Sequence, residues 1–268
     1  MAKKLIINCD DLGPNPHVKE ALVKSLEVGL IKSASVITNY GNLDSIKEFN
    51  QCHPEISLGI HLNFTSGSPV LDPDKVTSLL NDEGLFYRNL DRNTDIDSDE
   101  LKREFKAQIQ RLQDSGISPS HVDNHHPEIY FYPKLFETVL ILAKELNLPV
   151  RVPFTPNVLR DIDSYSKLFR IPPKTLKATA QIIVDLCQQH KIKSPDFFYG
   201  SYTFGDKSTT SLIALLDDLK EGISELCVHP ATDDPALVKE LQVLTDPDIK
   251  EHLERRRIEL VSYRDLSS

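Results

Sequence analysis

The chain has 268 residues, of which 40% are hydrophobic and 26% charged, and its formal net charge is -9 at pH 7. Such a composition is typical of a folded globular protein and excludes a disordered or fibrous chain. The acidic balance argues against a nucleic-acid binder, which would carry a basic stripe, and it suits a neutral or small polar substrate better.

Short apolar runs alternate with amphipathic segments along most of the chain, and the hydrophobic spacing of each segment predicts a strand or a helix. Strands are predicted at residues 4–8, 33–38, 56–62, 119–123, 149–152, 196–199, 223–229 and 258–261. Helices are predicted at residues 17–28, 43–50, 99–112, 133–146, 175–190 and 211–220. Residues 63–95 and 153–173 are polar or contain prolines, and are predicted to be long loops that follow strands.

Repeated alternation of strand and helix predicts an α/β fold with a parallel sheet. At this length a closed or nearly closed (β/α) barrel is the leading prediction, and a doubly wound open sheet is the alternative. A single domain over residues 1–268 is expected, because the sequence shows no internal repeat or linker. No Gly-x-Gly-x-x-Gly follows the first strand and no Gly-Lys-Ser/Thr loop occurs, which disfavours a nucleotide-binding version of the fold.

The cysteine pattern and the hydropathy indicate the compartment. Cys9, Cys52, Cys187 and Cys227 are scattered without a Cys-x-x-Cys pair, so free thiols are expected. No apolar stretch approaches the roughly 20 residues that span a bilayer, and the first apolar run stops at Asn8 without a signal-peptide pattern. We therefore expect a soluble, cytoplasmic protein that binds neither a membrane nor a nucleic acid.

Polar side chains follow several predicted strands at the point where each strand ends. Asp10 and Asp11 follow the first strand, His61 ends the third, residues 121–126 follow the fourth, and His229 ends a late strand. In a parallel barrel these ends share one rim, where barrel enzymes keep their active sites. Carboxylates and imidazoles together can form an open divalent-ion site, and this donor set does not choose among Zn²⁺, Mn²⁺, Co²⁺ and Mg²⁺.

The adjacent acids Asp10 and Asp11 cannot easily chelate one ion side by side, because successive strand side chains point to opposite faces. In a tight turn, one carboxylate can ligate an ion while the other takes a proton from water, which is the division of labour that metal-assisted hydrolysis needs. Alternatives for the individual residues stay open: a solvated turn or helix cap for the two acids, and packed core histidines for His61 and His229.

Four segments of the sequence resemble the YdjC/ChbG family of carbohydrate deacetylases. Residues 5–13 are similar to its Asn-x-Asp-Asp-Phe-Gly opening, residues 59–63 to its Gly-x-His-Leu segment, and residues 121–126 to its His-x-Asp-Ser-His-His segment. Residues 225–230 are similar to its late Glu-x-x-x-His-Pro segment. The matches follow the family's order and span nearly the whole chain.

The resemblance implies an irregular, TIM-like (β/α) barrel of the glycoside hydrolase/deacetylase type, and removal of acetyl groups from N-acetylated sugars such as chitooligosaccharides. It implies a divalent ion, Mg²⁺ or Zn²⁺, as the cofactor. The implied metal ligands are Asp11, His61 and His125. The implied catalytic residues are Asp10 as the base, His229 as the acid that protonates the departing amine, and Arg151 as the group that orients Asp10 or the substrate.

Some positions depart from the family pattern, and the alternatives for the function follow from them. Pro127 and Glu128 stand where family members often carry a further histidine, and Leu12 replaces the usual Phe. The expected partner is a small acetylated sugar, with a homodimer as the candidate assembly. Alternatives are an amidohydrolase of another amide or a lactam, and a non-catalytic glycan-binding relative. Aromatic residues at 130–132 and 197–204 are candidate platforms for a sugar, or core residues.

Overall fold

A computed structural model describes residues 2–41, 43–88, 90, 95–200 and 206–267, without the side chain of Ser267. The candidate sugar platforms Tyr202 and Phe204 lie outside the described residues, as do residues 89 and 91–94 of the predicted loop at 63–95. The strands are β1 (Lys3–Leu12), β2 (Ser33–Val36), β3 (Ser57–Leu62), β4 (Val122–Asn124), β5 (Phe197–Tyr199), β6 (Gly222–Val228) and β7 (Ile258–Val261).

Helices surround the strands. They are α1 (Pro16–Leu26), α2 (Asp44–Cys52), α3 (Ser98–Asp114), α4 (Pro133–Glu145), α5 (Pro156–Arg160), α6 (Ile162–Phe169), α7 (Pro173–His190), α8 (Thr209–Asp218), α9 (Pro235–Leu244), α10 (Pro247–Arg256) and α11 (Arg264–Ser267). Short 3-10 turns lie at Pro73–Lys75, Thr77–Leu79 and Glu128–Phe131. No helix within the described ranges is long and apolar enough to cross a membrane. All four cysteines carry free thiols.

The sheet is parallel throughout its described strands, in the order β4-β3-β2-β1-β6-β5. β6 pairs with one edge of β1, while β7 and β2 share the other edge, at residues 3–6 and 8–12 respectively. The predicted strand at 149–152 is reduced to one bridge, between Val150 and Val122. The Val150 N–H donates to the carbonyl of Lys193, so this segment links the β4 edge to the chain that leads into β5.

The sheet is strongly curled. In a flat sheet β4 would lie three strand spacings, about 14 Å, from β1. Instead Arg151 Nη2 lies 2.8 Å from Asp10 Oδ1 on β1 and 3.1 Å from Asp123 Oδ2 on β4. The same nitrogen lies 2.6 Å from Glu225 Oε1 on β6. Side chains from distant strands therefore meet inside a barrel, which confirms the α/β barrel prediction and excludes the doubly wound alternative.

The two faces of β1 show where the core lies. Leu5, Ile7 and Cys9 are buried in the large apolar cluster between the strands and the helices. Ile6 belongs to a small separate cluster with Val261 and Tyr263. Asn8 and Asp10 follow Ile6 at intervals of two residues, and both are buried and hydrogen-bonded to one another. Along β1, the side chains that point into the barrel therefore change from apolar to polar towards the carboxyl end of the strand.

The predicted loop at 153–173 is wrong, because the segment forms α5 and α6. Its prolines Pro156 and Pro173 occupy first helical turns, where the missing N–H has no intrahelical partner to lose. The same arrangement starts α9 and α10, to which the sequence pattern assigned no helix. Pro235 and Pro247 each follow an aspartate whose carboxylate accepts from the first-turn N–H groups.

Candidate active site

The acids at the end of β1 lie in an irregularity of the strand. The register between β1 and β2 shifts between Cys9 and Leu12, and Asp11 adopts a left-handed backbone conformation with φ 63°. Such a bulge re-aims the side chains that a regular strand would point apart. As a result Asp10 is 2% exposed inside the barrel. Asp11, whose side chain is 30% exposed, faces the mouth.

The structure brings together the three expected metal ligands, Asp11, His61 and His125. His125 Nδ1 lies 2.7 Å from Asp11 Oδ1, and His61 Nε2 lies 3.3 Å from the same oxygen. Candidate ligand atoms of all three lie within 4.8 Å of one another. β1, β3 and the turn after β4 supply one residue each, and the His125 N–H donates to the Leu62 carbonyl, which fixes that turn against β3. One carboxylate and two imidazoles make three potential ligands, the number that catalytic zinc sites typically take from the protein.

Asp123 orients His61. Its Oδ1 lies 2.8 Å from His61 Nδ1, and both side chains are buried. A carboxylate on one ring nitrogen fixes the tautomer that presents the other nitrogen to an ion. Burial alone would lower the pKa of His61, but the charges of Asp123 and Asp10 and the bond to Asp11 raise it to about 10. Negative charge is in surplus here, so the donor set fits a divalent cation.

Arg151 binds the proposed base Asp10 in a bidentate pair. Nη1 donates to Asp10 Oδ2 at 2.6 Å and Nη2 donates to Oδ1 at 2.8 Å. Asn8 Nδ2 donates to Oδ1 at 2.8 Å, and the thiol of Cys227 lies 3.1 Å from Oδ2. Burial would raise the pKa of Asp10, but Arg151, with His61 and His229, holds it well below its usual range. Asp10 is therefore an ionised carboxylate with a fixed orientation.

Two residues of the network around Arg151, namely Glu225 and Tyr263, were assigned no role from the sequence. Glu225 Oε1 accepts from Arg151 Nε at 2.8 Å, and Glu225 Oε2 accepts from the Tyr263 hydroxyl at 2.5 Å. Burial raises the pKa of Glu225, against the opposing effect of Arg151. Glu225 opens the late Glu-x-x-x-His-Pro segment, so that motif contained a signal. Tyr263 follows β7 and carried none.

His229 stands beside Asp10 at the rim. Its Nε2 lies 3.8 Å from Asp10 Oδ2, and its side chain is 34% exposed. The His229 N–H donates to Glu240 Oε1 at 2.9 Å, and Lys207 Nζ donates to Glu240 Oε2 at 2.6 Å. Glu240 lies on α9 with no exposed surface, so a buried carboxylate fixes the backbone of the proposed acid. The sequence reasoning missed Glu240, which has no motif around it.

The remaining metal-capable residues of 121–126 do not join the ligand triad. His121 is fully buried and stacks on Tyr263, with ring centroids 3.7 Å apart. Burial lowers the pKa of His121 to about 4. His126 stacks on His125 at 3.8 Å, and its Nδ1 lies 2.9 Å from Thr65 Oγ1. Burial, with the neighbouring His125, also lowers the pKa of His126 to about 4.

A cleft with a cavity of about 150 Å³ opens beside Asp10, Arg151 and His229. Six aromatic residues line it: Tyr130, Phe131, Phe154, Tyr165, Phe169 and Phe198. α5 and α6, the segment expected to be a loop, supply part of this wall. Pro127, which with Glu128 was noted as a departure from the family pattern, also lines the cleft. The described part of the aromatic clusters thus contributes Tyr130, Phe131 and Phe198 to the site and leaves their neighbours outside it.

Comparisons with known proteins agree over the whole chain. The sequence model described as YdjC-like protein matches residues 4–255. A carbohydrate deacetylase of Geobacillus stearothermophilus is 28% identical over 277 residues, with 99% of this chain and 98% of that protein covered. A carbohydrate deacetylase of Enterococcus faecalis is 29% identical, with 99% and 98% covered. A solved Enterococcus faecalis structure, named for cellobiose-phosphate cleavage, is 27% identical, covers 100% of both chains and has a TM-score of 0.82.

Proposed function

This chain belongs to the YdjC-like protein family, and we propose that it is a metal-dependent carbohydrate deacetylase. It removes the acetyl group from an N-acetylated sugar, a chitooligosaccharide or a related compound, and releases acetate and a free amine. The observation that carries the proposal is that Asp11, His61 and His125 meet in one cluster next to the proposed base. His61 Nε2 lies 3.9 Å from Asp10 Oδ2, and Asp10 lines the cleft together with His229. Support comes from relatives that match over nearly their full length and are named carbohydrate deacetylases.

Each residue has one task in the proposed mechanism. Asp11, His61 and His125 would hold a divalent ion, with Mg²⁺ and Zn²⁺ as candidates, and the ion would supply polarisation of the acetyl carbonyl and a more acidic water. Asp10, fixed and ionised, accepts the proton of the attacking water. His229 donates a proton to the departing amine.

Arg151 orients Asp10 and keeps it ionised, through the bidentate pair at 2.6 and 2.8 Å. The aromatic wall of the cleft shields the reacting groups from bulk water and offers apolar faces to a sugar ring. These roles separate the residues that exchange protons, Asp10 and His229, from those that position them.

Acetate release from N-acetylated chitooligosaccharides tests the function. Chelated protein is expected to be inactive and to regain activity on addition of one divalent ion. Asp10→Asn and His229→Ala are each expected to lose at least about 100-fold in rate, the range of general acid–base catalysis. Asp82→Asn, which removes an exposed carboxylate away from the site, is the matched control.

Other outcomes separate the alternatives. Wild-type rates in Asp10→Asn and His229→Ala would remove both role assignments. Turnover of a lactam or another amide, with no acetate from sugars, would favour the related amidohydrolase. Sugar binding without any product would favour a glycan-binding protein. Light scattering on the purified chain tests the candidate homodimer.

A further inference from the structure

A second group of metal-capable side chains lies beside the proposed ion site. Asp10, Cys227 and His229 each offer one ligand atom, and these atoms lie within 4.8 Å of one another. Cys227 and His229 are two residues apart along β6 and its extension, so both point into the barrel. The group shares no residue with the triad of Asp11, His61 and His125.

We propose that Asp10, Cys227 and His229 form a second, inhibitory site for a borderline or soft divalent ion such as Zn²⁺, Co²⁺ or Cd²⁺. A carboxylate, a thiolate and an imidazole are the ligand types that zinc takes in proteins. Mg²⁺ prefers oxygen ligands and is not expected to bind here. The inhibition rests on the proposed deacetylase function, whereas the binding does not.

The spacing of the donor atoms suits such an ion. With ordinary zinc bond lengths and tetrahedral angles, a sulfur and an oxygen ligand lie about 3.6 Å apart, and a nitrogen and an oxygen about 3.4 Å. Cys227 Sγ lies 3.1 Å from Asp10 Oδ2, and His229 Nε2 lies 3.8 Å from the same oxygen. Both separations lie within about 0.5 Å of the tetrahedral values, and the sulfur and the imidazole nitrogen lie within 4.8 Å of each other.

Binding of the ion replaces one proton of the site. The Cys227 thiol donates its proton towards Asp10 Oδ2, and the ion takes the place of that proton, which leaves to solvent. Asp10, Asp123 and Glu225 surround the single guanidinium of Arg151, so carboxylates outnumber the buried cation. The 34% exposure of the His229 side chain, at the wall of the cleft, gives the ion a route to the site.

An ion at this position would bind the base and the acid at once. Asp10 could no longer accept a proton from water, and His229 could no longer donate one to the amine. The first ion site would remain intact, since Asp11, His61 and His125 are separate residues. Excess Zn²⁺ should therefore inhibit an enzyme that its first equivalent activates, while excess Mg²⁺ should not.

Cobalt absorption tests the binding on the full chain after chelation. A second equivalent of Co²⁺ is expected to produce a sulfur-to-cobalt charge-transfer band, which should be absent in Cys227→Ser and Cys227→Ala. Cys52→Ser, which removes an exposed thiol that does not line the cleft, should keep the band. Circular dichroism establishes that each variant is folded. A band that persists without Cys227, or no band in the wild type, would overturn the proposal.

Zinc inhibition tests the consequence. The Zn²⁺ concentration for half inhibition, measured above the first equivalent, should rise at least about tenfold in Cys227→Ser, because the only sulfur ligand is lost. Cys52→Ser should keep the wild-type midpoint, and an equal midpoint in all three proteins would refute the inhibitory role. If the protein deacetylates no sugar, the cobalt band still tests whether the second site binds an ion. A missing band in an active enzyme would remove the site and leave the proposed function standing.

Discussion

The substitution Tyr263→Phe removes one buried oxygen from the network that holds Arg151. Tyr263 has no exposed surface, and its hydroxyl donates to Glu225 Oε2 at 2.5 Å. Among the described residues, Tyr263 is the donor to Glu225 Oε2, while Arg151 donates to Glu225 Oε1. The phenylalanine ring keeps the stacking on His121, whose ring plane lies 9° from that of Tyr263. The change therefore isolates a hydrogen bond from its packing.

The expected cost follows from the burial of both partners. A hydrogen bond to a charged group contributes about 1.5–3 kcal/mol to stability. Because the substitution leaves a buried acceptor without its donor, most of this contribution should be lost. We expect Tyr263→Phe to lower the free energy of unfolding by about 2 kcal/mol. For a chain of this size the melting temperature should fall by about 4–8 °C.

Urea unfolding of the wild type, Tyr263→Phe, Glu225→Gln and the double variant gives the coupling energy of the pair. Tyr199→Phe is the matched control, because the buried Tyr199 hydroxyl has no partner among the described residues. Its loss should be neutral or slightly stabilising. If Tyr263→Phe matched Tyr199→Phe within about 0.5 kcal/mol, the hydrogen bond would not stabilise the network and the reasoning would be wrong.

Three further predictions concern the ion site and the barrel interior. Asp123→Asn should weaken binding of the catalytic ion about 10–100-fold, because it loses the carboxylate that orients His61; unchanged affinity by calorimetric titration would contradict that role. Adding an ion at about 100 times its dissociation constant should stabilise chelated protein by about 2.7 kcal/mol in thermal unfolding, and no shift would argue against the triad. Gly59→Ala should cost about 1–3 kcal/mol in urea unfolding, since its Cβ would overlap the His121 ring; wild-type stability would show that the ring can move.

Much of the fold follows from hydrophobic periodicity, because each strand must bury at least one face. The alternation in β1 was less informative, since both faces are buried, one against helices and one inside the barrel. The errors occurred at prolines. The proline-containing segment 153–173 was predicted to be a loop, and no helix was predicted around Pro235. Pro156 and Pro235 each begin a helix, which depends on the residue before the proline and on tertiary packing.

The residues of the candidate site that could be predicted are those that lie at the ends of predicted strands. Asp10, Asp11, His61 and His229 were found that way. The left-handed conformation of Asp11 could not be, because the bulge depends on how β2 pairs with β1. Glu225, Glu240 and Tyr263 act through other side chains across the barrel, and periodicity gives no information about such distant partners. Arg151 was known only through the family resemblance.

The environment of Asp10 decides how the proposed base can work. Arg151 holds the pKa of Asp10 well below its usual range, so the carboxylate is a weak base at neutral pH. A weak base is effective only if the water it deprotonates is unusually acidic, which is what a divalent ion supplies. Orientation and water acidity therefore have to act together: Arg151 fixes the acceptor, and in the proposed mechanism the triad of Asp11, His61 and His125 would hold the ion. Removal of the ion should then abolish turnover rather than reduce it by a fraction, since Asp10 alone has too little basicity to compensate.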